Sequence, residues 1–173
     1  MQFSLNKPAK LGQTKLVLID GPAGAGKTTL AQELAKEWDA KVIHLEFLYN
    51  GWDDAITSTL TKNLLALCNS IREGITHSLP IYSWEQKKYD GYQLIEPTDI
   101  LIIEGVGAGQ SAIREFASAL IWVDADPEIS LQRVMERDGY LYPEEISRWK
   151  VREAEHFKVE QTAKFADFHY LTS

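Results

Sequence analysis

Gly21-Pro22-Ala23-Gly24-Ala25-Gly26-Lys27-Thr28 decides how the rest of the chain is read. The stretch fits G-x-x-x-x-G-K-[ST], a glycine loop whose backbone N–H groups cradle phosphates. Its flanks agree with that reading. Lys15-Leu16-Val17-Leu18-Ile19-Asp20 is a short branched-apolar run, predicted as a buried strand. Leu30, Ala31, Leu34, Ala35 and Trp38 recur at helical spacing just after the loop. Strand, loop and helix together form an anion nest backed by the positive end of a helix dipole. Lys27 is placed to reach the outer phosphates, and the Thr28 hydroxyl to sit on Mg²⁺.

Composition narrows what surrounds the loop. At 173 residues, with 45% hydrophobic and 25% charged residues, the chain is expected to form a single domain, 1–173. No apolar run approaches the ~20 residues of a membrane helix, and Met1 to Gly12 lacks a signal-peptide pattern. The one cysteine, Cys68, excludes an internal disulfide and falls in an apolar helical pattern, as a packing thiol would. These features point to the cytoplasm, with no membrane partner. A net charge of −7 argues against a nucleic-acid polymer as partner, while a local nest still admits a small anion.

Outward from the loop, apolar runs predict further strands at Lys41–Leu45, Asp99–Ile103, Ala119–Val123 and Asp167–Leu171. Leu79–Ser83 reads as a short strand or extended arm, and Trp84–Pro97 as a polar, aromatic connection broken by Gly91 and Pro97. Helices are expected through Ile56–Ile71 with Asp53 as N-cap and Gly74 as stop, from Ser111 through Arg114, from Asp126-Pro127, and over Glu144–Lys164. Tyr140–Pro143 reads as a loop within a small lid at about 138–148. Alternating strands and helices with near-continuous apolar strands indicate an α/β fold. The expected architecture is a three-layer P-loop NTPase domain around a central, mainly parallel five-stranded sheet.

Phosphoryl transfer needs carboxylates near the loop, and ligands collect at the carboxyl ends of such strands. Glu104 closes the run Ile100-Leu-Ile-Ile103 and suits a metal-organising role, with Thr28 as the other metal-side oxygen. Glu46 follows His44-Leu45 and suits a base for an acceptor hydroxyl; His44 itself reads as packed at the strand end. Tyr49, Trp52, Tyr82 and Trp84 can frame a planar ligand. Arg133 and Arg137 share one helix face, Arg148 and Arg152 another, across the predicted lid. Arg137 is the leading candidate to stabilise a transferring phosphoryl group. Arg114, beyond the glycine turn at 105–109, is a further candidate on the substrate side.

The run Ile19 to Thr28 resembles the loop of cytidylate kinases. His44-Leu-Glu-Phe-Leu-Tyr49 looks like the second-strand end of uridine kinases, with Glu46 where that family has Asp. Ile102-Ile-Glu-Gly105 is similar to that family's third-strand carboxylate, and Arg133 to Asp138 to the helix entering its lid. The chain thus resembles the P-loop nucleoside and nucleoside-monophosphate kinase group, nearest to uridine-kinase-like proteins. The resemblance implies an ATP- and Mg²⁺-dependent kinase acting on a small acceptor, a nucleoside or nucleoside monophosphate. ATP is expected on the loop (Gly21, Ala23, Gly24, Ala25, Gly26, Lys27, Thr28, Thr29) with Arg133 beside it. Lys27, Glu46 and Arg137 are expected to carry the chemistry. The other readings are a nucleotide-binding regulator without turnover and a kinase of a non-nucleoside small molecule. A regulatory GTPase is disfavoured because no N-K-x-D segment occurs.

Overall fold

The computed structural model describes residue 3, residues 5–139 and residues 143–172. The expected loop at Tyr140–Pro143 therefore falls mostly outside the described residues. Five strands form one wholly parallel sheet: β1 Lys15–Asp20, β2 Lys41–His44, β5 Ile100–Glu104, β6 Ala117–Ala125 and β7 Phe168–Thr172. Their order is β2-β5-β1-β6-β7, so β1 is central.

Side-chain alternation makes the three layers. In β1, Leu16 and Leu18 enter one core while Val17 and Ile19 enter the other. In β5, Leu101 and Ile103 face the first core and Ile102 the second. Burial on both faces is why these strands are continuously apolar. α1 (Lys27–Trp38) covers the second core with Leu30, Ala31 and Leu34. α2 (Ser58–Arg72) covers the first with Leu60, Leu64, Leu67, Cys68 and Ile71. Burial pushes the Cys68 thiol up to about 12, in keeping with a packing role.

Three sequence expectations change. Trp84–Pro97 is not a simple connection: Lys88–Ile95 is strand β4, paired antiparallel with β3 (His77–Ser83) in a separate hairpin. Only Ile95 of β4 is buried, so the strand is held by backbone pairing and carries no apolar alternation. The cap of α2 is Thr57, whose hydroxyl accepts from Thr59 N at 3.2 Å, rather than Asp53. The last long helix ends earlier than Lys164. α5 covers Pro143–Glu160, Gln161 adopts φ 51°, and α6 (Thr162–Phe165) follows. The other α-helices among the described residues are α3 (Ser111–Arg114) and α4 (Pro127–Val134), with Asp126 capping α4 as expected; a 3-10 turn at Leu45–Phe47 carries Glu46, and a π-helical turn at Met135–Gly139 carries Arg137. Among the described residues no helix is long and apolar enough to cross a membrane.

Candidate active site

The loop leaves β1 at Asp20 and enters α1 at Lys27, so strand and helix fix both of its ends. Asp20 is fully buried and accepts from Gly21 N at 2.8 Å, Gly109 N at 2.8 Å and Gly107 N at 3.0 Å. It thereby ties the loop to the glycine turn after β5. Burial raises its pKa to about 6, against the lowering pull of those three N–H groups and of Lys27.

That shift gives a pH prediction. The folded-state pKa of Asp20 lies above its unfolded value of 3.8, so the native state holds the proton more tightly between the two. Stability is therefore lost as pH rises from about 4 through about 6, by roughly 3 kcal/mol. About 2 kcal/mol of this loss falls between pH 4.5 and 7.5, so unfolding free energies from urea melts at those two pH values should change by about 2 kcal/mol more in wild type than in Asp20→Asn. Equal changes would show that Asp20 does not titrate in this window.

Lys27 is 7% exposed. Its ammonium donates to Gly21 O and Pro22 O, both at 2.8 Å. Burial lowers its pKa, and the fields of Glu104, Asp20 and Glu153 oppose that. Thr28 Oγ1 donates to Glu104 Oε1 at 3.0 Å. His44 Nδ1 lies 2.6 Å from the same oxygen, and this hydrogen bond raises the imidazole pKa. His44 is thus more than packing: it orients Glu104.

These groups face a cavity of about 500 Å³. Its floor is the loop side: Ala23, Gly24, Gly26, Lys27, Thr28 and Thr29. Glu46, Glu104, Gly105 and Val106 come from the ends of β2 and β5. Arg133 and Arg137 line one side; Tyr49, Trp52, Trp84, Trp149 and Ile146 line another. The aromatic rings contact in sequence. Tyr49 and Trp149 lie 5.6 Å apart, Trp149 and Trp52 6.1 Å, Trp52 and Trp84 5.2 Å. Trp84 Nε1 donates to Glu46 O at 2.9 Å, fixing the wall to the carboxylate's own backbone.

Most expected site residues therefore meet in one place, and several do not. Gly21 and Ala25 shape the loop without lining the cavity. Gly21 N is held by Asp20, and Ala25 N closes a turn on Pro22 O at 3.1 Å. Tyr82 stands behind Trp84, its ring 5.3 Å away, and is buried. Arg114 does not reach the cavity. It donates to Glu160 O at 2.9 Å and stacks over Phe165, because α3 packs toward the end of α5. Arg152 bonds Trp52 O and Asp53, and Arg148 pairs with Glu145, so neither turns toward the loop. Arg133 donates to Gly24 O and to Thr172 Oγ1, both at 3.3 Å, and sits on the loop. Arg137 lines the cavity and pairs with its neighbour Asp138 at 2.8 Å.

The structure adds residues that sequence reasoning missed. Asp20 had a usable signal, a charge ending an apolar strand as Glu104 does. Trp149, Lys150 and Glu153 had none, because their place depends on α5 packing against the loop. Glu153 is buried and accepts from Ala23 N at 2.7 Å. Lys150 Nζ lies 3.2 Å from Ala23 O.

Among the described residues no three His, Cys, Asp or Glu side chains form an all-protein metal cage. The Thr28 hydroxyl and Glu104 carboxylate are hard oxygen ligands of the kind Mg²⁺ shares with phosphates and water. A buried lysine on the loop carbonyls suits a polyphosphate beside them. The residues fit a magnesium nucleotide.

The sequence matches the AAA domain family over residues 17–157. No curated protein matches it significantly. Solved structures share its fold at low identity, among them the following three. A possible uridine kinase from Bacillus stearothermophilus is 19% identical, with a TM-score of 0.66 covering 98% of this chain and 91% of that one. A candidate fructose transport system kinase from Silicibacter sp. TM1040 is 15% identical, with a TM-score of 0.66 over 97% and 93%. Shikimate kinase from Acinetobacter baumannii, solved with shikimate, is 16% identical, with a TM-score of 0.57 over 96% and 88%. The chain belongs to the AAA domain family, and its fold is that of the P-loop kinases.

Proposed function

We propose that this protein is an ATP- and Mg²⁺-dependent kinase of a small hydroxyl-bearing acceptor, with a nucleoside or nucleotide as the leading class. One observation carries the reading: a single cavity joins the phosphate loop to an aromatic wall, with Glu46 and Glu104 also on its lining. In this scheme the loop N–H groups and Lys27 hold the β- and γ-phosphates. Thr28 and Glu104 would hold Mg²⁺, which supplies charge neutralisation between the phosphates. Glu46 accepts the acceptor's hydroxyl proton as the new P–O bond forms and the bond to the β-phosphate oxygen breaks. Arg133 and Arg137 steady the charge on the phosphoryl group. A single buried thiol and a nucleotide substrate suit the cytoplasm.

The wall favours an uncharged acceptor, a nucleoside over a nucleoside monophosphate. Among the described lining residues the cations are Lys27, Arg133 and Arg137, and none belongs to the aromatic side. A second phosphate or a carboxylate buried there would lack a partner charge.

The test is ADP release, together with a thermal-shift screen of nucleosides, nucleoside monophosphates and sugars in the presence of a non-hydrolysable ATP analogue and Mg²⁺. Nucleosides are expected to raise the midpoint beyond the analogue alone and to trigger ADP release. A response to monophosphates only would overturn the uncharged acceptor. Silence from every acceptor would overturn the kinase. Trp84→Ala should raise the acceptor KM about tenfold, the loss of one stacking face, with little change in the KM for ATP.

A further inference from the structure

Glu153 takes no part in the chemistry proposed above, yet it is 5% exposed and fully engaged. One oxygen, Oε2, accepts both Ala23 N at 2.7 Å and Trp149 Nε1 at 3.2 Å. The other, Oε1, lies 3.2 Å from the Lys150 ammonium, which also reaches Ala23 O at 3.2 Å. Ala23 belongs to the phosphate loop and Trp149 to the aromatic wall, and both line the cavity. The carboxylate therefore stands behind the cavity and joins its two halves through a single atom. Lys150 balances its charge and holds the same loop residue by its carbonyl.

From this geometry we infer that Glu153 is a positioning residue that couples the phosphate loop to Trp149, so that a phosphate arriving at the loop resets the wall on which the acceptor rests. The inference relies on the donor and acceptor halves assigned above. Its physical basis is charge. A phosphate seated on the loop brings negative charge toward the carboxylate that holds Ala23 N–H from behind, and like charges at close range repel. Whatever displacement Oε2 makes is felt at the indole N–H bonded to it. Bonds to an ionised acceptor are the stronger kind, so the link is stiff enough to transmit a shift. The effect runs both ways by thermodynamic linkage: a ligand that fixes Trp149 alters affinity at the loop by the same factor.

The experiment follows tryptophan emission of the full chain during titration with Mg²⁺ and AMP-PNP, with binding measured separately by calorimetry. Wild type is expected to bind the analogue and to change its emission, and Trp149→Phe to bind it while losing most of that change. Glu153→Ala should keep its affinity for the analogue within about tenfold and lose at least about half of the emission change. Glu153→Gln keeps the side-chain length but sets an amide donor against either Lys150 or the loop N–H. It should fall between wild type and Ala, and it serves as the deciding variant if the Ala variant does not fold. A merely structural role would move the melting midpoint and leave the nucleotide-dependent emission intact. The wild-type emission change in either folded Glu153 variant, or in Trp149→Phe, overturns the coupling alone. A wild type that binds no MgAMP-PNP overturns the donor-site reading and the coupling with it.

Discussion

Lys27→Met is expected to lower phosphoryl transfer by at least about a thousandfold while the protein remains folded. The ammonium is buried, bonded to Gly21 O and Pro22 O, and within the fields of Asp20 and Glu104. In the proposed reaction, negative charge would gather beside this ammonium as a terminal phosphate moves. A preorganised charge in a site shielded from water acts without reorganisation, which is why a single such group carries so large a share of the barrier. Met keeps the stem's apolar packing and removes the charge together with its two hydrogen bonds to the loop carbonyls. Its effect on stability is expected to be modest, because the buried charge costs desolvation as well as gaining partners. Turnover with a responsive acceptor, alongside MgATP affinity by calorimetry, separates lost chemistry from lost binding. Transfer within about tenfold of wild type would remove Lys27 from the reaction.

Gly21→Ala is expected to cost about 4 kcal/mol or more, a loss that lowers the melting midpoint by about 8 to 16 °C in a chain of this size. A Cβ at Gly21 would sit 2.0 Å from Val123 O, and the residue's φ is 147°, in the range that L side chains rarely adopt. Val123 belongs to β6, a neighbour of the central strand, so the obstructing atom is sheet backbone that cannot turn aside. The change strains the loop and the sheet together. A thermal scan reads it directly. A midpoint within about 2 °C of wild type would mean that the first glycine of the loop serves no steric need.

Legibility of the sequence tracked burial. β1, β5 and β6 are sandwiched between two cores, so their apolar runs announced them. β4 is paired only with β3 and mostly exposed, and nothing in Tyr89 to Leu94 distinguishes such a strand from a polar loop. Glu104 and Glu46 could be placed on the cavity because ligands collect at strand ends in a parallel sheet. Arg114 looked equally well placed, but its partner Glu160 lies 46 residues away and is brought to it only by the packing of α3 against α5. The same holds for Glu153, 130 residues from the Ala23 N–H it binds. On a helix it reads as an ordinary solvated acid until the packed chain buries it. Local pattern shows what a segment is; these contacts depend on where a distant segment arrives.

The register of the central strand has a consequence for how the protein is made. β1 pairs with β5, Lys15 opposite Ile100, and with β6, Leu16 opposite Ala117; β2 also waits for β5. A ribosome has therefore released β1, the glycine loop, α1 and β2 long before any strand exists to pair with them. At usual elongation rates that interval is on the order of ten seconds. The β3–β4 hairpin can close during that time from contacts near in sequence, while the parallel sheet must wait for partners far along the chain. Nascent chains arrested before Ile100 should thus expose Leu16 to Ile19 as an unpaired apolar segment, a natural ligand for a holding chaperone. The proposed nucleotide would assist folding only after β5 has emerged to set the loop in place.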